Sequence, residues 1–155
     1  MNFRLHAPIP QEIVEASAIK NLIENDFVVI GVGGGGIPVV ENEDGDLVGT
    51  AAVIDKDFAS SLLAREIRAD LLLISTAVEK VAISFNKPDQ KDLDRMTVAE
   101  AEKYITEGHF AKGSMLPKVQ AAILFLKAGG KQALITDPPN ITNALAGKTG
   151  TWIVP

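Results

Sequence analysis

Three short apolar runs, Phe27 to Ile30, Leu71 to Ser75 and Ala133 to Thr136, limit what this chain can fold into more than any other feature. Each is too short for a helix and largely unbroken by polar residues, the pattern of a strand covered on both faces. Amphipathic stretches separate them. One helix is expected from near Pro10, with Ile13, Ala16, Ile19 and Ile23 on one face. A second follows Asp55-Lys56-Asp57 and runs to about Arg68, with Phe58, Leu62, Leu63 and Ile67 inward. Thr97-Val98-Ala99-Glu100 is a capping box opening a helix to about Glu107. Gly113-Ser114 opens another, with Ser114 as N-cap, Pro117 in its first turn, Val119, Ala122, Ile123 and Leu126 as apolar face, and Gly129-Gly130 as its stop. Val39 and Leu47-Val48 flank a polar turn and read as a β-hairpin. Val81 to Phe85 is a further strand candidate, Ile141 to Ala146 a short helix and Thr151 to Val154 a closing strand. Apolar strands alternating with amphipathic helices predict an α/β fold with a mostly parallel sheet, in one domain over residues 1–155.

Composition narrows the functional classes. With 155 residues the chain can bury a real core, and its net charge of −5 with 15 scattered basic residues argues against nucleic-acid binding. There is no cysteine, so disulfides and thiolate metal sites are excluded. His6 and His109 lie far apart and form no ligand pair, and no metal site is expected. The N-terminal residues lack a signal peptide's apolar core and no run is long enough to span a membrane, so a cytoplasmic location without membrane partners is expected.

The chemistry-bearing residues cluster after strand candidates. Gly31, Gly33 and Gly36 fit G-x-G-x-x-G, but the dinucleotide fingerprint needs a helix directly after the glycines. Here Ile37-Pro38-Val39-Val40 follows, and Pro38 and the valines favour extended chain. The loop containing Gly33, Gly34, Gly35 and Gly36 is then either a tight strand-to-strand turn or a close approach to an anion or polar ligand. Four successive glycines exceed what a turn needs and favour the second reading. Asp55-Lys56-Asp57 is either a solvated turn with a capping aspartate or a lysine set against a phosphate and oriented by a carboxylate. Lys118 falls in the first turn of its helix, where the macrodipole disfavours a cation unless an anion binds there too. Thr76 follows the second strand. Ligands of parallel sheets bind at the strands' carboxyl ends, so the glycine loop, Asp55-Lys56-Asp57 and Thr76 are expected to share one rim. His109-Phe110 and Trp152 read as packing.

VVIGVGGGGIPVV, AAVIDKDFAS, FNKPDQ, TVAEAEKYITEGHFAKGSMLPKVQAAI and GKTGTWIV, in this order, together resemble carbamate kinase, of the amino-acid kinase superfamily. The resemblance runs from about Pro8 to Val154 and corresponds to the family's C-terminal, nucleotide-binding half. It implies a three-layer α/β/α sandwich, part of the amino-acid kinase fold, and phosphate transfer between ATP and carbamate, giving ADP and carbamoyl phosphate, with Mg²⁺. It makes Lys56 a phosphate contact, Asp57 the aspartate that organises the lysines, and Lys118 the charge on the transferred group. It sets Gly33 to Gly36 beside carbamate and the transferring phosphate. Asp55, Thr76, Ala82, Phe85 and Met115 fall on its nucleotide side, with Met115 and the 82–85 segment as adenine-pocket wall. The sequence departs from the family at Ala77, where many relatives have aspartate, and at Ala82, where an aromatic is common. The acceptor half, with its Gly-Gly-Asn loop, has no counterpart in these residues. The implied partner is therefore a missing N-terminal half or, since the family is dimeric, a second copy. A non-catalytic nucleotide-binding or assembly module is the alternative.

Overall fold

The computed structural model describes residues 7–155, so His6 lies outside the described residues. The chain divides between Ile67 and Arg68 into two compact units.

In the first unit, helix α1 (Ala16–Glu24) starts later than its apolar spacing predicts, because Glu15 at its N-cap makes no side-chain bond. The Ala16 amide instead donates to the Ile13 carbonyl in a preceding turn, at 3.0 Å. Strands β1 (Val39–Glu41) and β2 (Leu47–Gly49) form the expected antiparallel hairpin, Val40 opposite Val48. Its turn is built by Asn42, whose Oδ1 accepts from the amides of Asp44 and Asp46 at 3.0 and 2.8 Å. Helix α2 (Lys56–Glu66) buries Ala59, Ser61, Leu62 and Ala64. Phe58, Leu63 and Ile67, expected inward, are only half-buried. Three of the four enclosed residues are small, which lets neighbouring backbone come close to this helix.

The expected buried strand at Phe27 to Ile30 is not formed. Residues 27–30 are assigned to no strand, and Val28 and Ile30 are 96% and 97% exposed. A strand is made by its ladder, and among the described residues no strand pairs with this run. Ala52, in the next short apolar run, reaches only an isolated bridge.

The second unit carries nearly all the core. Strands β3 (Leu71–Ser75), β4 (Val81–Ile83), β5 (Lys91–Leu93) and β6 (Arg95–Thr97) precede helices α3 (Val98–Thr106) and α4 (Met115–Lys127). Strand β7 (Gln132–Thr136), helix α5 (Ile141–Leu145) and strand β8 (Thr151–Val154) complete it. The main sheet has the order β3-β7-β8-β6. The β3–β7 and β6–β8 pairs are parallel, and β7–β8 is antiparallel. Ala133, Leu134, Ile135 and Thr136 are all buried, as the unbroken apolar run requires of a strand covered on both faces. Strands β4 and β5 form a separate antiparallel ribbon. Ser84, at φ 52°, ends β4 before Phe85, so the strand is shorter than expected.

Helix α4 buries all four residues of its expected apolar face, and Ala121 and Phe125 as well. Burying a side chain such as Phe125 is worth about 2–3 kcal/mol. The helix ends on Gly129 at φ 100°, and the Gly130 amide donates back to the Phe125 carbonyl at 3.1 Å. A Cβ on Gly130 would lie 2.5 Å from the Phe125 ring, so the stop also lets the backbone pass close to the core. Ser114 holds the N-cap position of α4 but makes no capping bond.

The capping box at α3 is formed in full. The Glu100 amide donates to Thr97 Oγ1 at 3.2 Å, and the Thr97 amide donates to Glu100 Oε2 at 2.7 Å. Bonds from the Thr97 amide and then its hydroxyl hold the Glu100 carboxyl below the usual glutamate range. A lowered folded pKa gives stability that is present above the unfolded pKa and lost as pH falls through the folded value. Thr97→Ala is expected to cost about 1 kcal/mol at neutral pH. Part of that difference should vanish on acidification below the normal glutamate range, as read from urea unfolding of both proteins across pH.

Candidate functional site

In the first unit the glycine loop and Asp55-Lys56-Asp57 are brought together. Gly31 passes close to both helices: a Cβ there would sit 3.4 Å from Ile19 Cδ1 and 3.6 Å from Leu63 Cδ2. The loop then turns sharply, the Gly33 amide donating to the Gly31 carbonyl and the Gly35 amide to the Val32 carbonyl, both at 2.7 Å. Gly35 is buried at φ 138°, and a Cβ there would fall 2.0 Å from the Ile54 carbonyl oxygen. One glycine of the run is therefore demanded by backbone packing on the residue before Asp55. Gly33, Gly34 and Gly36 meet nothing within 4 Å of such a Cβ, leaving open space where the sequence suggested close ligand approach.

Asp55 is the N-cap of α2, its Oδ1 accepting from the Asp57 amide at 2.7 Å. The capping alternative is thus realised by Asp55. Capping fixes the first turn and sends the next two side chains different ways. Lys56 is largely exposed, while Asp57 is buried, with its Oδ2 3.7 Å from Lys56 Nζ. A buried carboxylate beside an exposed ammonium at a helix start orients the cation while leaving it available to an anion.

In the second unit, the Thr76 amide extends the β3–β7 ladder by donating to the Thr136 carbonyl at 2.8 Å. Lys118 is buried in the first turn of α4, a turn without an acidic residue, and Met115, the helix's first residue, is half-buried. Ala82 is buried inside β4, whereas Phe85 is 52% exposed just beyond it. Phe85 lines an open cavity of about 240 Å³ with Val78, Glu79, Lys80, Gln90 and Asp92.

Sequence reasoning missed what holds Phe85 in place. The Ser84 amide donates to His109 Nδ1 at 3.3 Å and its hydroxyl to Asp89 Oδ2 at 2.8 Å. The Ser84 bond, first among the causes, holds the Asp89 carboxyl below the usual aspartate range. His109 Nε2 lies 3.3 Å from Glu107 Oε2, and Tyr104 meets the imidazole edge-on at 5.8 Å. His109 therefore does pack, as its loop position suggested, but it also pins the loop after β4. No local pattern signals that role, because Ser84 lies 25 positions away. Among the described residues no group of three carboxylates, histidines or cysteines could hold a metal ion, and no helix is long and apolar enough to cross a membrane.

The glycine-rich loop thus packs beside a helix that opens on lysine and aspartate. The chain belongs to the amino acid kinase family, whose model matches residues 4–137. It is 56% identical over 148 residues to the carbamate kinase-like protein YahI of Escherichia coli (strain K12), covering 96% of this chain and 47% of that protein. It is also 56% identical over 149 residues to the carbamate kinase of Thermoplasma volcanium, covering 96% and 48%. The solved carbamate kinase from Giardia lamblia bound to AMP-PNP superposes with a TM-score of 0.91 at 46% identity, over 96% of this chain and 46% of that one. The chain spans about half the length of the curated relatives it matches.

Proposed function

We propose that this chain supplies the nucleotide and phosphate side of a carbamate kinase-like phosphotransferase, ATP + carbamate ⇌ ADP + carbamoyl phosphate. The observation that carries the reading is Lys118, buried in the first turn of a helix, in a chain 56% identical to a carbamate kinase. Carbamate is already an anionic nucleophile and needs no general base. Its oxygen attacks the γ-phosphorus as the bond to the ADP oxygen breaks, and the barrier is mainly that of bringing two anions into line. Such transfer depends on positioning and charge neutralisation. Lys56 neutralises phosphate charge from the exposed start of α2, with Asp57 orienting it, and Lys118 neutralises the transferred group. The loop at Gly33 to Gly36, open beside Gly33, Gly34 and Gly36, faces the phosphate that Lys56 contacts. Thr76, Met115 and Phe85 bound the nucleotide, Ala82 backs that wall from inside β4, and Asp55 fixes the turn that presents Lys56.

The donor set, two lysines, loop amides and one buried carboxylate, suits Mg²⁺ that arrives on the nucleotide, since phosphates and water then complete its shell. Asp57 is the carboxylate that would hold it, and the ion would add positive charge at the phosphates. The second reading, a nucleotide-binding or assembly module without catalysis, is favoured by the chain's spanning only half its relatives' length.

Calorimetry with ADP and ATP tests the proposal. The unmutated chain should bind, Lys56→Ala should weaken ADP and ATP binding alike about tenfold, and Lys118→Ala should weaken ATP about tenfold with little effect on ADP, which lacks the transferred group. Absence of ADP binding by the unmutated chain would sink the enzyme reading and the nucleotide-binding module, leaving only assembly. Coupled ATP formation from carbamoyl phosphate separates enzyme from module.

A further inference from the structure

Phe85 is displayed by a stretch of backbone that does not hold its shape unaided. Both of its neighbours lie in the left-handed region, Ser84 at φ 52° and Asn86 at φ 58°. Such backbone persists only where its surroundings fix it. Asn86 is fixed from within the loop, its amide donating to Gln90 Oε1 at 2.9 Å. Ser84 is buried and is fixed from outside the loop, its amide donating to His109 Nδ1 at 3.3 Å. An amide only donates, so Nδ1 must be the ring nitrogen without the proton. The proton then sits on Nε2, 3.3 Å from Glu107 Oε2. This bond exists only for the neutral imidazole. In the imidazolium both nitrogens donate, and two donors would face each other between residues 84 and 109.

We propose that His109 is a positioning residue for the nucleotide wall, and that its protonation releases Ser84 and weakens nucleotide binding at Phe85. The proposal rests on the kinase reading above and adds to it a dependence on pH. The groups around the ring come from two elements. Helix α3 brings Tyr104, edge-on at 5.8 Å, and Glu107, whose other oxygen lies 3.8 Å from Lys103 Nζ. The loop after β4 brings Asp89, close enough to feel the charges of His109 and Lys87. The two carboxylates favour a cationic ring, and the two lysines offset part of that. An imidazolium drawn towards Asp89 also competes with the Ser84 hydroxyl, which donates to Asp89 Oδ2 at 2.8 Å. One proton thus loosens both attachments of Ser84, and with them the turn that presents Phe85. Asp89 stays ionised on mild acidification, because the Ser84 bond holds its carboxyl below the usual aspartate range. Histidine is the side chain that ordinarily changes charge between about pH 8 and pH 5.

Nuclear magnetic resonance and calorimetry on the full chain provide the test. Without nucleotide, between about pH 8 and pH 5, the Ser84 amide signal should move with the same midpoint as the His109 ring nitrogens. Its exchange, corrected for the intrinsic rate at each pH, should quicken about tenfold across that midpoint, the worth of one hydrogen bond. This reading needs no variant. In His109→Asn the side-chain oxygen stands where Nδ1 was and does not titrate, so Ser84 protection should no longer follow pH. The phosphate of ADP itself takes up a proton at about pH 6, so affinities are compared between the two proteins. Over the same range the unmutated chain should lose about tenfold more ADP affinity than His109→Asn. A Ser84 amide that stays protected while the ring protonates would overturn the proposal, as would a ring that stays neutral throughout. So would an equal pH dependence of ADP affinity in the two proteins. Absence of ADP binding at the alkaline end would be a failure of the kinase reading. The exchange data, taken without nucleotide, judge the hold of His109 on Ser84 separately.

Discussion

Gly35→Ala is expected to destabilise the first unit by at least about 3 kcal/mol, while Gly34→Ala, one residue away, should cost less than about 1 kcal/mol. Two independent effects act at Gly35. Its φ of 138° lies in a region that residues with a Cβ rarely adopt, and the added carbon would fall 2.0 Å from the Ile54 carbonyl oxygen. That neighbour is backbone, so relief requires moving either the loop or the segment entering α2. Gly34 has neither problem: its φ is not positive and nothing lies within 4 Å of a Cβ there. Urea unfolding, with amide exchange across residues 31–38, reads the difference. If the open face of the loop receives a phosphate, Gly34→Ala keeps its stability and loses ATP affinity, which separates the packing glycine from the ligand glycines. Equal stability of the two variants would show that the loop is not held against Ile54.

What the sequence made legible follows from how local each signal is. The capping box at Thr97, the apolar runs at Leu71–Ser75 and Ala133–Thr136, and the polar turn at Asn42 carry their instructions within a few residues, and each element forms where expected. Strands β5 and β6 read as Lys-Asp-Leu and Arg-Met-Thr, with no apolar alternation. They are strands only because β4 and β8 pair with them. The run at 27–30 is the converse, strong in propensity but without a ladder among the described residues. The site divides the same way. Asp55 as a helix cap and Lys118 in a first turn are local facts. The hold of His109 on Ser84 crosses 25 positions, and the burial of Gly35 depends on a carbonyl 19 residues on.

The second large effect is expected at Thr151, which no motif marks. Its hydroxyl accepts from the Val81 amide at 2.8 Å and donates to the Leu93 carbonyl at 2.5 Å, and all three residues are buried. Val81 and Leu93 are partners across the β4–β5 ribbon, so one side chain of β8 fastens both strands of that ribbon. Thr151→Val keeps the shape and removes the hydroxyl. It leaves a buried amide without its acceptor and takes a donor from a buried carbonyl, at about 1–3 kcal/mol for each group. A loss of about 3 kcal/mol in urea unfolding is expected, with Thr151→Ser restoring most of it. Because β4 leads into Ser84 and Phe85, exchange at 81–85 should rise with the loss. ADP affinity should fall in Thr151→Val under conditions where the chain is still folded, since the proposed nucleotide wall hangs from this ribbon. A Thr151→Val protein as stable as Thr151→Ser would mean that the ribbon is held by its own pairing alone.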